Sequence, residues 1–235
     1  MGRHSIDICD CSQCENKDSL FCKLSDAEKD TISTNKGSNF YRKGQVIFYE
    51  DNHPNGLYCI YKGKVKITKF GDEGKDQIVR FAGDSDLLGY RALLSGDTYR
   101  GTATAMEDTH VCHISKSNFF DVMTQNNNFS YDIIKLLSND LKKSEQKLVN
   151  ISQKPVIERI AESLLILKNR FGVDEDGMLN VVLTRREIGD MAGVTTETSI
   201  RTLSALKKDG IIELVGKKVK IINERELVRI ANLYD

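Results

Sequence analysis

The chain has 235 residues, long enough for one large domain or two small ones, each with its own core. Its 34 Lys and Arg are balanced by 34 Asp and Glu, so affinity for nucleic acid through global basicity is excluded and would have to come from a local patch. No apolar run reaches the length of a membrane span, and the N-terminal MGRHSIDICDCSQC lacks the apolar stretch of a signal peptide; no membrane partner is expected, and the cytoplasm is the expected compartment.

Six cysteines in a chain read as non-exported point to metal or redox chemistry rather than to a disulfide framework. Cys9, Cys11, Cys14 and Cys22 crowd into a polar N-terminal segment, residues 1–24, where an apolar-core role is implausible. Clustered thiolates are soft ligands that suit zinc or an iron–sulfur cluster, and the C-x2-C of Cys11 and Cys14 puts two sulfurs on one turn. Cys59, alternating with apolar neighbours in GLYCIYKG, reads instead as a buried core thiol.

Ser25 and Glu28 form a capping box at the head of a short helix. Over Gln45 to Ser115 the runs VIFYE, GLYCIYKGKVKITKF, DQIVRFAG and THVCHI are short, β-branched and aromatic. Turn clusters at His53–Gly56, Gly71–Gly74 and Ser95–Asp97 separate them, so a β-roll of jelly-roll type is expected over residues 25–127. An enzyme of the cupin type would need two or three histidines and a carboxylate converging inside such a roll. The region offers His53, His110 and His113 without H-x-H spacing, and no enzyme is expected. His110 and His113 flank Cys112 and are read as surface or hydrogen-bonded residues, neither sharing its face.

A long helix without Gly or Pro is expected over residues 128–153. Ile134, Leu137, Leu141, Ser144, Leu148 and Ile151 repeat at alternating spacings of three and four, a heptad seam with one polar break at Ser144. The narrow seam and its charged flanks predict a two-stranded homodimer, which Ser144 would keep weak. Pro155 ends the helix and opens a last domain, residues 154–235. Its first helix, from Val156 to Phe171, should turn Ile157, Ile160, Ala161, Leu164, Leu165 and Leu167 inward, and a short strand is expected over Met178 to Leu183.

The stretch from Thr184 to Gly210 reads as two short helices about a tight turn. Thr184 caps the first with Glu187 in a capping box, Gly193 ends it, Thr195 or Thr196 caps the second, and Gly210 closes it. In a helix-turn-helix the second helix enters the major groove of DNA by its N-terminal end. Glu197 and Arg201, one turn apart, suit cytosine N4 and guanine O6 and N7, and Ile200 beside them suits a thymine methyl. Ile211–Leu214 and Val219–Ile222, joined through Gly216, Lys217 and Lys218, form a hairpin wing whose lysines are placed to touch phosphate. Between Thr184 and Lys220 eight Lys or Arg face five Asp or Glu, a surplus too small to bind DNA without dimerisation and base contacts.

From Thr184 to Ile222 the sequence resembles the DNA-binding domain of the catabolite-activator / fumarate-nitrate-reduction (Crp–Fnr) family of bacterial transcription regulators, and the resemblance runs over nearly the whole chain. It implies an α+β fold: an N-terminal β-roll sensor domain of the cyclic-nucleotide-binding kind, a long dimerisation helix and a C-terminal winged helix-turn-helix. The family's reading helix carries E-x-x-x-R, here Glu197 and Arg201. Thr196 stands where catabolite activators have an arginine, so the outer bases of the site should differ. Thr184 belongs with the DNA-binding residues, double-stranded DNA with an inverted repeat is the expected partner, and contact with RNA polymerase is implied as well.

The oxygen-sensing branch holds a [4Fe–4S] cluster with three N-terminal cysteines and one distant cysteine. That implies Cys11, Cys14, Cys22 and Cys112 as ligands, with Cys9 the alternative to Cys11. Seven residues separate Cys14 from Cys22 where the oxygen sensors have five, which leaves zinc, or accessory thiols with a small molecule sensed in the roll, as other readings. Cyclic-nucleotide-binding members carry a Gly-Glu pair for the ribose and an Arg for the phosphate. Arg100 falls on the latter, but Leu87 and Leu88 stand where Gly-Glu should and accept no hydrogen bond. Cyclic AMP is therefore not expected to bind.

Overall fold

In the computed structural model, residues 14, 16, 18–34, 36–71 and 76–233 are described; Cys9 and Cys11 lie outside them. The chain divides into two compact units, residues 1–141 and 142–235.

In the first unit a single 3-10 turn, Leu20–Lys23, is capped by Ser19, whose hydroxyl accepts from the Phe21 amide. Helix α1 (Asp26–Thr34) follows the expected capping box: the amide and hydroxyl of Ser25 both donate to the Glu28 carboxylate, at 2.8 and 2.6 Å. These bonds hold the Glu28 carboxyl below its usual range. Among the described residues eight strands then build the roll: β1 (Gly37–Tyr41), β2 (Val46–Phe48), β3 (Gly56–Lys62), β4 (Val65–Phe70), β5 (Asp76–Ala82), β6 (Leu87–Leu88), β7 (Thr102–Ala105) and β8 (Thr109–Ser115), with helix α2 (Tyr90–Ser95) between β6 and β7. They form two four-stranded antiparallel sheets, β1-β8-β3-β6 and β2-β7-β4-β5. Helices α3 (Lys116–Gln125) and α4 (Asn127–Gln153) complete the unit's chain path, α4 running on past its boundary.

Alternation along β3 divides the interior. Leu57 and Cys59 face one way and, with Cys112 and Ile114 of β8, pack on the helical elements through Phe21, Leu24, Phe119, Phe129 and Ile133. Ile60 and Val111 face the other way and close the space between the sheets with Val65, Ala103 and Leu88. Phe48, Tyr58 and Tyr99 stack beside this second core, with ring centroids of Phe48 and Tyr99 3.9 Å apart.

The second unit holds α5 (Val156–Phe171), α6 (Arg185–Ala192), α7 (Thr196–Lys208), the hairpin β9 (Ile212–Val215) and β10 (Lys218–Ile221), and α8 (Glu224–Ala231). Ile160, Ala161, Leu164, Leu165 and Leu167 of α5 are buried, whereas Ile157, in its first turn, is exposed. The run from Met178 to Leu183 is not a strand. It makes single bridges to two different partners, Val173 with Leu179 and Met178 with Lys220, and because the partners differ no ladder propagates. Among the described residues no helix is long and apolar enough to cross a membrane.

Candidate nucleic-acid interface and thiol cavity

The geometry of the helix pair follows from its caps. The Thr184 hydroxyl accepts from the Glu187 amide at 3.2 Å while the Thr184 amide donates to the Glu187 carboxylate at 2.8 Å, a complete capping box at the start of α6. Gly193 ends α6 with φ 64°, a left-handed conformation that a β-carbon would strain. Thr195, not Thr196, caps α7, its hydroxyl accepting from the Thr198 amide at 3.2 Å. Inside α6, Gly189 lets the turn and the second helix close in: a β-carbon there would stand 3.0 Å from the Val194 carbonyl oxygen and 3.3 Å from the Ser199 side chain.

Helix α7 buries Ser199, Leu203 and Leu206 and leaves Thr196, Glu197, Ile200 and Arg201 exposed together at its N-terminal end. In the wing, Val215 pairs with Lys218, so Gly216 and Lys217 form the tip and Lys217 is exposed there. Lys218 is committed elsewhere: its ammonium lies 2.8 Å from the Asp174 carboxylate, which raises the lysine and lowers the acid from their ordinary values. Arg185, which the sequence reading passed over, donates from Nη2 to the Gly216 carbonyl at 2.8 Å and so ties the head of α6 to the wing tip. Nothing local in the sequence marks a bond spanning 31 residues.

A second constellation lies in the roll. Cys112 of β8 stands directly opposite Cys59 of β3, and the two thiols, 7% and 8% exposed, share one face of the sheet. The segment that carries Cys14 and Cys22 lies over this face. Asn16 donates through Nδ2 to the Tyr61 carbonyl, the Ser19 hydroxyl is 3.5 Å from the Cys59 sulfur, and the Cys22 thiol donates to the Asn16 carbonyl at 3.0 Å. Cys14, Cys22, Cys59 and Cys112 consequently line one small cavity, with Lys36 at its wall. Cys59 is the buried core thiol that its apolar neighbours predict, and it also borders this cavity through a strand register that spacing alone does not reveal.

Among the described residues no three His, Cys, Asp or Glu side chains stand close enough together to hold one metal ion. Four cysteines nevertheless border one cavity, soft donors of the kind that zinc and iron–sulfur clusters take. The histidines do not join them. Alternation along β8 sets His110 on the side of Cys112, contrary to expectation, because residues two apart share a face. Its ring lies against Phe40, 4.8 Å between centroids, and His113 hydrogen-bonds Asn55 at 3.1 Å, burial pushing its pKa down.

The segment laid on the cyclic-nucleotide site puts leucines inward. Leu87 and Leu88 are buried, paired with Cys59 and Tyr58 of β3. Arg100 is paired with Asp97, and its side chain is 73% exposed. The loop leads into α2, where Tyr90 and Arg91 both bond to Asp140 of α4, Arg91 at 2.5 Å, and Arg80 joins them at 3.5 Å. Burial would raise the Asp140 carboxyl, but the bonds from Arg91 and Tyr90 outweigh it and hold it below the usual range. The seam of α4 is open on both sides of this anchor: Ile134, Leu141 and Leu148 are 57%, 60% and 70% exposed, Ser144 and Ile151 are exposed too, and Leu137 packs partly against the core.

Comparison with known proteins places this architecture. The cyclic nucleotide-binding domain matches residues 38–126 and the Crp-like helix-turn-helix domain matches residues 158–230. The fumarate and nitrate reduction regulatory protein of Vibrio cholerae is 31% identical over 196 residues, 82% of this chain and 77% of that protein. The transcriptional activator protein anr of Pseudomonas aeruginosa is 28% identical over 81% of this chain and 78% of its own length. Among solved structures, FixK2 of Bradyrhizobium japonicum superposes with a TM-score of 0.75 at 27% identity, over 85% of this chain and 99% of that one. With a β-roll, a long helix and a winged helix-turn-helix in that order, the chain belongs to the Crp–Fnr family of DNA-binding transcription regulators.

Proposed function

We propose that this regulator responds to oxygen or nitric oxide through an iron–sulfur cluster at the thiol cavity, and that the signal sets the strength of its dimer and hence its hold on DNA. The observation that carries the reading is the meeting of Cys14 and Cys22 with Cys112 at one cavity, although some ninety residues apart in sequence. Relatives named for regulating fumarate and nitrate reduction fit a regulator tied to redox state.

Cys14, Cys22 and Cys112 would hold the cluster, each losing its proton on ligation, and the resemblance supplies Cys11 as the fourth ligand. Such a cluster, when bound, contributes a redox- and oxygen-sensitive link between the N-terminal segment and the roll. The chain's own residues do the rest. Asn16 and Ser19 seat the segment on β3. Tyr90, Arg91 and Arg80 carry the position of the roll's α2 to Asp140 on the helix that bears the dimer seam.

Residues 1–24 and 25–127 then serve as sensor, 128–153 as dimerisation helix and 154–235 as the DNA-reading domain. The homodimer, working in the cytoplasm, reads an inverted repeat whose half-sites are about 10 bp apart. Glu197 and Arg201 read its inner bases, Ile200 a thymine methyl, Thr196 the outer positions, and Thr184 and Lys217 the phosphates; Lys218 reaches phosphate only by leaving Asp174. RNA polymerase is the expected protein partner. Purification without oxygen, followed by iron and sulfide analysis, tests the sensor: about four of each per chain are expected. Protein that takes up neither under reconstitution contradicts it.

A further inference from the structure

A largely buried ion pair holds the joint between the dimer helix and the DNA-reading domain. Only Lys154 and Pro155 separate the end of α4 at Gln153 from the start of α5 at Val156. Proline restricts this joint to extended backbone but does not by itself fix the angle between the helices. Side chains fix it. The Asn150 amide donates to both Glu162 carboxylate oxygens, at 2.8 and 2.9 Å, and the Lys154 ammonium donates to Glu162 Oε2 and to the Ala231 carbonyl, each at 3.0 Å. The pair thus joins α4 through Asn150, α5 through Glu162 and the C-terminal end of α8 through Ala231, where a cation suits the helix's last carbonyls. The Lys154 and Glu162 side chains are 16% and 15% exposed. An exposed ion pair holds its partners loosely, whereas one removed from water tolerates few geometries. At the same end of α4, Ile151 of the seam reaches the turn between α6 and α7. A β-carbon at Gly193 would stand 3.6 Å from the Ile151 side chain and 3.4 Å from Nη1 of Arg159.

From this geometry we infer that Asn150, Lys154 and Glu162 are positioning residues that set the half-site spacing the dimer accepts. The inference rests on the dimeric, inverted-repeat reading given above and goes beyond it to what fixes the spacing. Leu148 and Ile151 place the end of α4 at the seam, and the clasp carries that placement to α5, against which α6 and α7 pack. Each α7 then stands at a set distance and angle from the two-fold axis. One base pair added between the half-sites moves one of them by about 3.4 Å and turns it by about 35°. Clasped heads lose base contacts on such a site, and heads freed from the clasp follow it. Glu197 and Arg201 keep their base preference in either case, since the clasp touches neither.

The test uses the full chain, prepared without oxygen, and duplexes that the wild type selects from a random-sequence pool. From the best-bound inverted repeat a series is made whose central spacer is one base pair shorter, unchanged or one base pair longer. Mobility shift gives the affinity for each, and sedimentation checks the dimer at the concentrations used. The wild type is expected to lose about tenfold or more in affinity when the spacer changes, since a misplaced half-site forfeits base contacts. Lys154→Met and Glu162→Gln are expected to compress that ratio to below about threefold while their single-base preferences stay as in the wild type. Asn150→Ala, which leaves Glu162 paired with Lys154, should compress it in part. A folded, dimeric Lys154→Met with the wild-type spacing ratio overturns the inference. A loss of affinity that is equal on every spacer does so too, being the mark of a merely structural role. Should Lys154→Met and Glu162→Gln fail to fold, Asn150→Ala decides alone, and an unchanged ratio overturns the inference. A wild type that selects an inverted repeat yet binds every spacer equally overturns the inference and leaves the dimer reading in place. One that selects no inverted repeat defeats that reading and this inference with it.

Discussion

Arg201 and Glu197 project from the exposed end of α7 because their neighbours Ser199 and Leu203, on the opposite side of the same turn, are drawn into the core. A bidentate contact of Arg201 with guanine is worth roughly 1–3 kcal/mol of discrimination, so Arg201→Ala should weaken specific binding by that amount and relax the preference at one inner base. Mobility shift against a set of single-base operator variants checks it; an unchanged preference removes Arg201 from the reading set. Lys217→Ala should instead weaken binding evenly across sequences and lower its salt dependence by about one counterion. In the roll, Leu87 and Leu88 are buried and offer no hydrogen-bond acceptor in their side chains, and Arg100 is paired with Asp97. Isothermal titration with cyclic AMP should accordingly show no micromolar binding.

At the scale of elements, α4 joins an anchored half to an open one. Phe129 and Ile133 sink into the roll core and Asp140 is clasped by Tyr90 and Arg91, whereas Leu141 and Leu148 stand in solvent in the single chain. Replacing Leu148 by Ala should weaken the homodimer by roughly 2 kcal/mol per protomer, and Ser144→Leu should strengthen it, both measurable by sedimentation. Asp140→Ala should cost about 1.5–3 kcal/mol of stability, since it removes charge-assisted bonds and leaves Arg91 without its carboxylate. Because the Asp140 carboxyl is held below its unfolded value of about 3.9, its contribution is present above that pH and is lost as pH falls through the lower folded value. Acid titration of wild type and the Asp140→Ala variant should therefore converge below about pH 4.

The elements also show what the sequence could and could not disclose. Caps are local, so Thr184 with Glu187, Ser25 with Glu28 and the stop at Gly193 were legible from neighbouring residues. The long helix α4 was legible for the same reason, its period lying within one element. Strand pairing is not local. β6 has two residues and no pattern to read, and the facing of Cys59 and Cys112 depends on a register fixed across fifty residues by Leu57 and Ile114 packing on the same side. Arg185 escaped notice because its partner, the Gly216 carbonyl, is a backbone atom of the distant wing. The pairing of Lys218 with Asp174 spans 44 residues, and nothing beside either residue in the sequence marks it.

The molecule as a whole brings together a cavity rich in thiols, a helix with an open apolar seam and a reading head that is nearly charge-balanced. That balance matters: with a surplus of only three cations around the winged helix, one protomer is expected to bind DNA weakly and the paired heads of a dimer more tightly. Control of the dimer is then control of the regulator. The most direct measurement follows dimerisation and affinity for an inverted-repeat DNA on one anaerobic, iron-loaded preparation, before and after admission of air. We expect a specific, dimeric complex that air dissociates together with the loss of iron, and a Cys112→Ser variant that shows neither the complex nor the response. Metal-free protein that dimerises and binds the same DNA equally well in air and without it would contradict the account.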